Sequence, residues 1–314
     1  MKKPLIILTG PTAVGKTRLS IALAKKINGE IISADSMQVY RYMDIGSAKI
    51  KPEEMEGVPH FLVDCLNPDE EFNVVRFQKM AQAAMEDIYA RHKIPILVGG
   101  TGFYIQAVTG AIDFTEHGED DCYRKELEQL ANEKGADTLH EMLKQVDPDS
   151  AVAIHANNIK RVIRALEYYK QTGEPISAHN QEQREKESPY NLAYFVLNDD
   201  RKKLYQRIDQ RIDEMLEEGL VEEVQRLKEM GYHKEMVSMQ GLGYKEILSY
   251  LDHTWSLEEA VYVLKRDTRH FAKRQITWFK REKKVEWFYK PDYQYNEEKI
   301  LNAMVHSLKD KGII

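Results

Sequence analysis

The sequence has little cysteine and no long apolar run. Its two cysteines, Cys65 and Cys122, provide neither a disulfide framework nor the paired spacing of a zinc site. No stretch of about 18 apolar residues is present, which argues against a membrane-spanning helix. The N-terminus enters an apolar strand and a glycine turn too early for a cleavable signal peptide. We therefore expect a cytoplasmic protein with plain thiols and no membrane partner.

Acidic residues outnumber basic ones overall, but basic residues are concentrated in one segment. The net charge is −6, which by itself argues against a nucleic-acid partner. Residues 265–284, however, contain nine basic and two acidic residues, a local charge of +7. A solvated helix face is the usual explanation for such charge. In an acidic chain, this concentration favours a partner that carries phosphates.

The sequence does contain a complete phosphate-binding motif. Residues 10–17 read GPTAVGKT, between an apolar run at Leu5–Thr9 and a helical pattern. Glycines let backbone N–H groups turn toward one anion, and the helix N-terminus adds partial positive charge. Lys16 can pair with the outer phosphate oxygens, and Thr17 can hold Mg²⁺. The residues predicted to bind a di- or triphosphate are Gly10, Pro11, Thr12, Ala13, Val14, Gly15, Lys16 and Thr17.

Strand and helix patterns alternate over the first part of the chain. Apolar runs at Glu30–Ala34, Phe61–Asp64 and Ile94–Val98 predict strands. Alternation of this kind predicts a parallel sheet, whose ligands bind at the carboxyl ends of its strands. The phosphate loop, Asp35 and the glycine turn at 99–102 should then face one crevice. The predicted fold class is α/β, a P-loop NTPase-like parallel sheet core with a helical insertion domain and C-terminal helices.

The domain organisation follows from changes of pattern. A length of 314 residues exceeds the size at which single cores stop growing, about 250–300 residues. Helical patterns fill 116–133 and 157–171, a polar stretch follows, and a strand pattern returns at 192–197. Further helices are predicted at about 200–218, 220–230, 243–251 and 256–282, the last of which opens with a capping box formed by Ser256 and Glu259. We therefore predict a discontinuous core, a helical insertion and a tail, with the alternative that the inserted helices simply cover the sheet. The predicted bounds are 1–112 with 191–290, 113–190, and 291–314.

Two acidic residues lie at the carboxyl ends of predicted strands, where a proton acceptor or a metal ligand would be placed. Asp35 follows the second strand and could accept a proton from a nucleophile beside the phosphate loop. The alternative is that Asp35 caps the next helix, as an Asp at the end of a strand commonly does. Asp64 follows the third predicted strand and could hold Mg²⁺ for phosphoryl transfer.

Several strings together resemble the bacterial tRNA dimethylallyltransferases. The resemblance runs in order from residue 5 to about residue 288, and any one string outside the phosphate loop would be weak alone. The C-terminal zinc finger of eukaryotic members has no counterpart here, because no Cys/His cluster follows Cys122. The strings are GPTAVGKT (10–17), ADSMQVY (34–40), MDIGSAK (43–49), LVGGTGFY (97–104), RVIRALE (161–167), GLGYKE (241–246) and KRQITW (273–278).

The resemblance implies prenyl transfer. The loop would hold the diphosphate of dimethylallyl diphosphate with Mg²⁺, and the amine of the adenosine 3′ of the anticodon would attack the allylic carbon. Asp35 matches the general base, and Thr101 matches the threonine near the incoming nucleotide. An arginine near the departing diphosphate would be Arg211 or Arg207, with surface pairing to Asp209 or Glu214 as the alternative.

The resemblance also implies a tRNA surface for the anticodon stem-loop. The flipped base would pass Asp35, with Gln38 as a reader of its hydrogen-bonding edge. For the basic residues of the insertion, an ordinary solvated helix face is the alternative. The residues predicted to contact tRNA are Asp35, Ser36, Met37, Gln38, Thr101, Arg124, Lys160, Arg161, Arg164, Lys273 and Arg274.

Two alternative functions share the same motifs. A nucleotide or small-molecule kinase would use ATP in the loop and the insertion as a lid. A nucleotide-gated tRNA-binding protein would need only the basic helices, with Asp35 as a cap. A monomer is the natural expectation for one enzyme that holds one stem-loop.

Overall fold

The computed structural model describes residues 2–110, 112 and 121–314. The chain divides into two compact units, which are Met1–Ala111 with Ser188–Ile314, and Ile112–Glu187. The first unit carries the sheet and the phosphate loop. The second is helical.

The first unit is built on a parallel sheet of six strands. The sheet order is β3-β2-β4-β1-β5-β6, and every neighbouring pair is parallel. Residues 5–9 of the central strand are fully buried, as expected where helices cover both faces of a parallel sheet. The strands are β1 Lys3–Thr9, β2 Gly29–Ser33, β3 His60–Phe61, β4 Ile94–Gly99, β5 Tyr190–Asn198 and β6 Glu286–Tyr289.

The helices of both units are numbered in chain order. Among the described residues, none of them is long and apolar enough to cross a membrane. They are α1 Lys16–Ile27, α2 Val74–Ala90, α3 Gly102–Thr109, α4 Asp121–Lys134, α5 Ala136–Val146, α6 Pro148–Ala153, α7 Ile159–Thr172, α8 Ile176–Glu185, α9 Arg201–Glu217, α10 Leu220–Glu229, α11 Tyr244–Leu251, α12 Leu257–Phe279 and α13 Glu297–Asp310.

The helical unit, α4 to α8, has an apolar core of its own. Leu139 and Leu143 of α5 and Val162 of α7 are fully buried in it. Helix α7 ends at Gly173, whose φ of 75° is the left-handed conformation that glycine adopts at little cost. The unit therefore has the buried apolar contacts of an independent domain.

The predicted fold class is confirmed, with local differences. The strand predicted at Phe61–Asp64 ends at Phe61, because Leu62 and Asp64 adopt left-handed φ angles of 62° and 54°. The polar stretch after residue 176 forms α8, and β6 was not predicted. The predicted start of a helix at 116–120 lies outside the described residues.

Candidate active site

The phosphate loop joins the carboxyl end of β1 to the first turn of α1. Gly10, Ala13 and Gly15 have φ angles of 147°, 60° and 95°. These left-handed positions curl the backbone so that successive N–H groups converge on one point, which is the geometry of an anion-binding nest. A Cβ at Gly10 would lie 2.4 Å from the carbonyl oxygen of Leu197, so glycine is required there.

Lys16 is held against the loop. Its ammonium donates hydrogen bonds to the carbonyl oxygens of Gly10 at 3.0 Å and Pro11 at 2.9 Å. Burial lowers the pKa of Lys16 to about 8, while Asp35 opposes the shift and Arg211 adds to it. Phosphate oxygens would give this buried ammonium stronger, charge-assisted partners than two carbonyls.

Asp35 lies two residues after the end of β2, and its two carboxylate oxygens differ in their hydrogen bonds. Oδ1 accepts the backbone N–H groups of Met37 at 2.8 Å and Gln38 at 3.3 Å, so this oxygen caps a turn, whereas the sequence suggested the start of a helix. Among the described residues, no hydrogen-bond donor contacts Oδ2. One oxygen therefore anchors the side chain, which leaves the other to accept a proton.

The two candidate arginines, one helical turn apart on α9, have different surroundings. Arg207 donates through Nε to the carbonyl oxygen of Ala13 at 3.0 Å and forms an ion pair with the buried carboxylate of Asp199. Burial lowers the pKa of Arg211, and Asp35 is the first group that opposes the shift. Arg211 thus shares the electrostatic environment of Lys16 and Asp35, whereas Arg207 supports the loop backbone.

The alternative partners expected for these arginines are used elsewhere. Asp209 forms an ion pair with Arg269 of α12. Glu214 accepts a hydrogen bond from Gln210, one turn before it on α9. Neither acid neutralises the site arginine by direct contact.

The glycine turn after β4 lies directly against the end of β2. The backbone N–H of Thr101 donates to the carbonyl oxygen of Ala34, the residue before Asp35, at 3.3 Å. A Cβ at Gly99 would lie 2.2 Å from the same oxygen. The close approach that glycine permits therefore brings Thr101 and Asp35 to adjacent positions at the carboxyl edge of the sheet.

Gln275 of α12 is a site residue that the sequence reasoning missed. Its Oε1 accepts the backbone N–H of Thr12 at 2.9 Å, and its Nε2 donates to the carbonyl oxygen of Gly100 at 3.0 Å. The side chain is 6% exposed. The available signal was an uncharged polar residue in the buried stripe that includes Ala272 and Phe279.

Two side chains of the segment after Asp35 are held by contacts with other parts of the chain. Gln38 accepts a hydrogen bond from the hydroxyl of Ser33 and donates to the carbonyl oxygen of Ala48, both at 3.2 Å. The end of the Met37 side chain packs so closely on Gly241 that a Cβ there would lie within 2.4 Å of Met37 Cε. Ser36, Met37 and Gln38 are all half-buried.

Asp64 has an ion-pair partner, which argues against its interpretation as a magnesium ligand. It forms an ion pair with the buried ammonium of Lys49. That ammonium also contacts Asp44 at 2.7 Å and the carbonyl oxygen of Tyr40. A carboxylate already matched to a buried lysine does not offer a strong site for a divalent cation.

The basic residues of α12 fall into two groups. Lys265 and Arg269, in the first half, form ion pairs with Asp213 and Asp209 of α9, so they hold two helices together. Lys273 and Arg274 are exposed and have no ion-pair partner among the described residues. They border a groove on this face whose lining residues are His270, Lys273, Arg274, Thr277, Trp278 and Arg281.

In the helical unit, Arg124 differs from the other predicted basic residues. Its guanidinium forms a two-point ion pair with Glu167 of α7, with distances of 2.9 and 2.8 Å, and so joins α4 to α7. Lys160, Arg161 and Arg164 lie on the exposed face of α7. Of the four predicted basic residues, the three without an ion-pair partner among the described residues therefore lie on α7.

Thr17 is the loop residue that the sequence predicts to hold a metal ion. It is exposed in the first turn of α1. Among the described residues, no cluster of three or more His, Cys, Asp or Glu side chains is arranged for a metal. Mg²⁺ commonly binds through substrate phosphates and water with only one or two protein oxygens, and a single threonine hydroxyl fits that pattern.

The fold and this site define a P-loop-like α/β protein whose phosphate-loop motif lies at the carboxyl edge of a parallel sheet. The model of the family described as IPP transferase matches residues 38–282, and that of isopentenyl transferase matches residues 3–66. The chain belongs to the IPP transferase family. The resemblance read from the sequence motifs is confirmed.

Relatives named tRNA dimethylallyltransferase match nearly the whole chain. One from Lachnoclostridium phytofermentans is 67% identical, covering 99% of each chain, and one from Carboxydothermus hydrogenoformans is 54% identical, covering 92% of each. A solved tRNA isopentenylpyrophosphate transferase from Bacillus halodurans superposes with a TM-score of 0.74 at 46% identity, covering 99% of this chain and 98% of that one.

A eukaryotic dimethylallyltransferase, solved while acting on tRNA, also superposes. Its TM-score is 0.75 at 35% identity, covering 88% of this chain and 69% of that one. Together these similarities favour prenyl transfer over the kinase and the nucleotide-gated alternatives.

Proposed function

We infer that this protein is a tRNA dimethylallyltransferase. It transfers the dimethylallyl group from dimethylallyl diphosphate to N6 of the adenosine immediately 3′ of the anticodon and releases diphosphate. The identity of 67% over almost the full length to a protein of that name supports this function. The structural observation that carries it is the phosphate loop at the carboxyl edge of the sheet, where the Lys16 ammonium contacts the carbonyl oxygens of Gly10 and Pro11 and lies near enough to Asp35 and Arg211 for both charges to affect its pKa.

This grouping suits a reaction in which an anion departs as a proton is removed. The N6 nitrogen bonds to the allylic carbon, and the carbon–oxygen bond breaks with its electron pair going to diphosphate. Lys16, Arg211 and the loop N–H groups stabilise the departing charge. Asp35 accepts the amine proton on Oδ2, while Oδ1 keeps its hydrogen bonds to Met37 and Gln38.

The same geometry suits a diphosphate bound with Mg²⁺. We propose that the hydroxyl of Thr17 is its protein ligand, because Thr17 is exposed beside the nest of loop N–H groups. The ion would supply further neutralisation of the diphosphate oxygens. Arg207 acts indirectly, since it fixes the carbonyl of Ala13 and so the curvature of the loop.

We propose two positive surfaces for the anticodon stem-loop. One is the exposed pair Lys273 and Arg274 on α12, and the other is Lys160, Arg161 and Arg164 on α7, with Arg124 as their support. The helical unit Ile112–Glu187 would then be a tRNA-contacting insertion. We further propose that the enzyme acts as a monomer in the cytoplasm, on one stem-loop at a time.

The segment after Asp35 and the glycine turn supply the proposed acceptor site. Ser36, Met37 and Gln38 would contact the flipped adenosine, with Thr101 opposite them. The half-buried position of all three residues, the hydrogen bonds of Gln38 to Ser33 and Ala48, and the packing of Met37 on Gly241 support a preformed wall. A preformed wall lowers the cost of ordering the site when the nucleotide enters.

Mass spectrometry of tRNA tests the function directly. Unmodified tRNA incubated with the protein, dimethylallyl diphosphate and Mg²⁺ should gain a five-carbon adduct on the adenosine next to the anticodon. Transfer of phosphate from ATP to a small acceptor would instead support the kinase. Binding of tRNA with no adduct would support the nucleotide-gated protein.

Removal of charge from α12 should weaken tRNA binding. Lys273→Ala with Arg274→Ala should flatten the salt dependence of the tRNA dissociation constant by about one unit of slope per lost phosphate contact. Filter binding over a range of salt concentrations measures the slope. Lys26→Ala with Lys309→Ala, which removes two exposed charges from α1 and α13, is the matched control. An unchanged slope in the α12 variant would show that this face is merely solvated.

Diphosphate affinity should fall as the pH rises above about 8. Lys16 is charged below that pH and loses its proton above it, so binding at higher pH must include uptake of a proton. The expected loss approaches about tenfold per pH unit, measured by calorimetry with Mg²⁺ and inorganic diphosphate. Lys16→Arg stays protonated, so its affinity should be flat over the same range. A flat wild-type profile would show that Lys16 keeps its proton over this range and would contradict its lowered pKa.

A further inference from the structure

Gln275 is the side chain that joins the two loops of the proposed active site. Its carboxamide accepts from Thr12 in the phosphate loop and donates to Gly100 in the glycine turn. We propose that Gln275 is a positioning residue for prenyl transfer, which sets the spacing between the diphosphate site and the acceptor site. This inference rests on the proposed function.

Both contacts fall next to residues that matter for the reaction. Thr12 precedes Ala13, where the loop backbone turns left-handed at φ 60° and the anion nest begins. Gly100 precedes Thr101, whose N–H is bonded beside Asp35. A shift of either contact would therefore move the leaving group or the nucleophile, and misplacement by about 1 Å can cost about 100-fold in rate.

A carboxamide satisfies both partners at this position. Thr12 offers an N–H donor and Gly100 offers a carbonyl acceptor, so the bridging group must both accept and donate, as the oxygen and the nitrogen of the Gln275 carboxamide do. The contact is tight, since a Cβ at Gly100 would lie 2.1 Å from Gln275 Nε2. Burial of the side chain excludes water, which would otherwise replace either hydrogen bond.

The placement of Gln275 on α12 links this bridge to the proposed tRNA surface. Lys273 and Arg274 directly precede it, and both are exposed. The helix is held to α9 by the ion pairs of Lys265 and Arg269. A single braced helix thus carries both the phosphate-contacting cations and the side chain that aligns the two loops.

The test compares the same substitution, glutamine to methionine, at two buried positions. Gln275→Met keeps the volume and removes both hydrogen bonds. Gln78→Met is the control, because Gln78 is also buried and donates to a backbone carbonyl, that of Ala107, away from the site. For each variant we would measure the thermal midpoint, the tRNA dissociation constant and the single-turnover rate with both substrates saturating.

We expect Gln275→Met to slow the single-turnover rate by about 10- to 100-fold, with tRNA affinity within about twofold of wild type. Gln78→Met should change only the thermal midpoint. A rate near wild type for Gln275→Met, or a loss of rate, tRNA affinity and stability together, would overturn the positioning role. If Gln275→Met does not fold, Gln275→Glu, which keeps the acceptor for Thr12 alone, is judged by the same criteria. Failure of the wild type to prenylate tRNA would refute the proposed function instead.

Discussion

Replacement of Asp35 by asparagine is expected to lower the single-turnover rate of prenyl transfer by about 10²–10⁴-fold, the usual contribution of a positioned proton acceptor. Asparagine can still accept the N–H groups of Met37 and Gln38 through its amide oxygen, so the turn should keep its shape. It cannot take a proton on the other atom. Rapid-quench kinetics with both substrates saturating separates this chemical defect from binding.

Binding controls decide how this result is interpreted. Both dissociation constants should stay close to wild type in Asp35→Asn. The control is Asp200→Asn, because Asp200 also follows a strand and caps a backbone N–H, that of Lys203, outside the site. It should leave the rate unchanged. If Asp35→Asn prenylates tRNA at nearly the wild-type rate, Asp35 is a cap alone and the departure of diphosphate carries the reaction.

Replacement of Lys16 by alanine is expected to reduce kcat/KM for dimethylallyl diphosphate by about 10²–10³-fold, comparable to the loss of one preorganised donor at a developing anion. Thr17→Ala should also impair use of the donor and should raise the Mg²⁺ concentration required. Neither residue belongs to the proposed tRNA surface, so the tRNA dissociation constant should not change. Steady-state kinetics and filter binding measure the two effects independently.

Lys26→Ala provides the matched control for the phosphate loop. Lys26 is an exposed lysine at the far end of α1, so its loss removes the same charge without touching the loop. Its kcat/KM should equal that of wild type. A parallel fall of tRNA affinity and activity in Lys16→Ala would contradict the separation of the donor site from the tRNA surface.

The elements that the sequence predicted well have strong local signals. The phosphate loop and β4 combine apolar runs with glycines, and the bounds of α9 and α12 agree with the predicted ranges 200–218 and 256–282 to within a few residues. Ser256 caps α12 and Glu259 completes the capping box, as the spacing of the two residues predicts.

The elements that the sequence missed have weak local signals. Helix α8 has hardly any apolar residues, so no stripe marks it as a helix. Strand β6 has four residues and is defined by its parallel pairing with β5, which is distant in sequence. Helix α13 lies in the predicted tail, yet Ile300, Met304 and Leu308 are fully buried.

By itself, the sequence determined the phosphate loop, the α/β class and the family, because each depends on residues that are adjacent or that occur in a fixed order. Only the tertiary structure distinguished Arg211 from Arg207, since the two lie one turn apart on α9 and differ only in what other elements bring to them. It also showed that Lys49 forms an ion pair with Asp64 and that two acidic residues of α9 form ion pairs with Lys265 and Arg269. Gln275 joins the phosphate loop to the glycine turn after β4. These are contacts between residues far apart in the chain, and no local pattern encodes them.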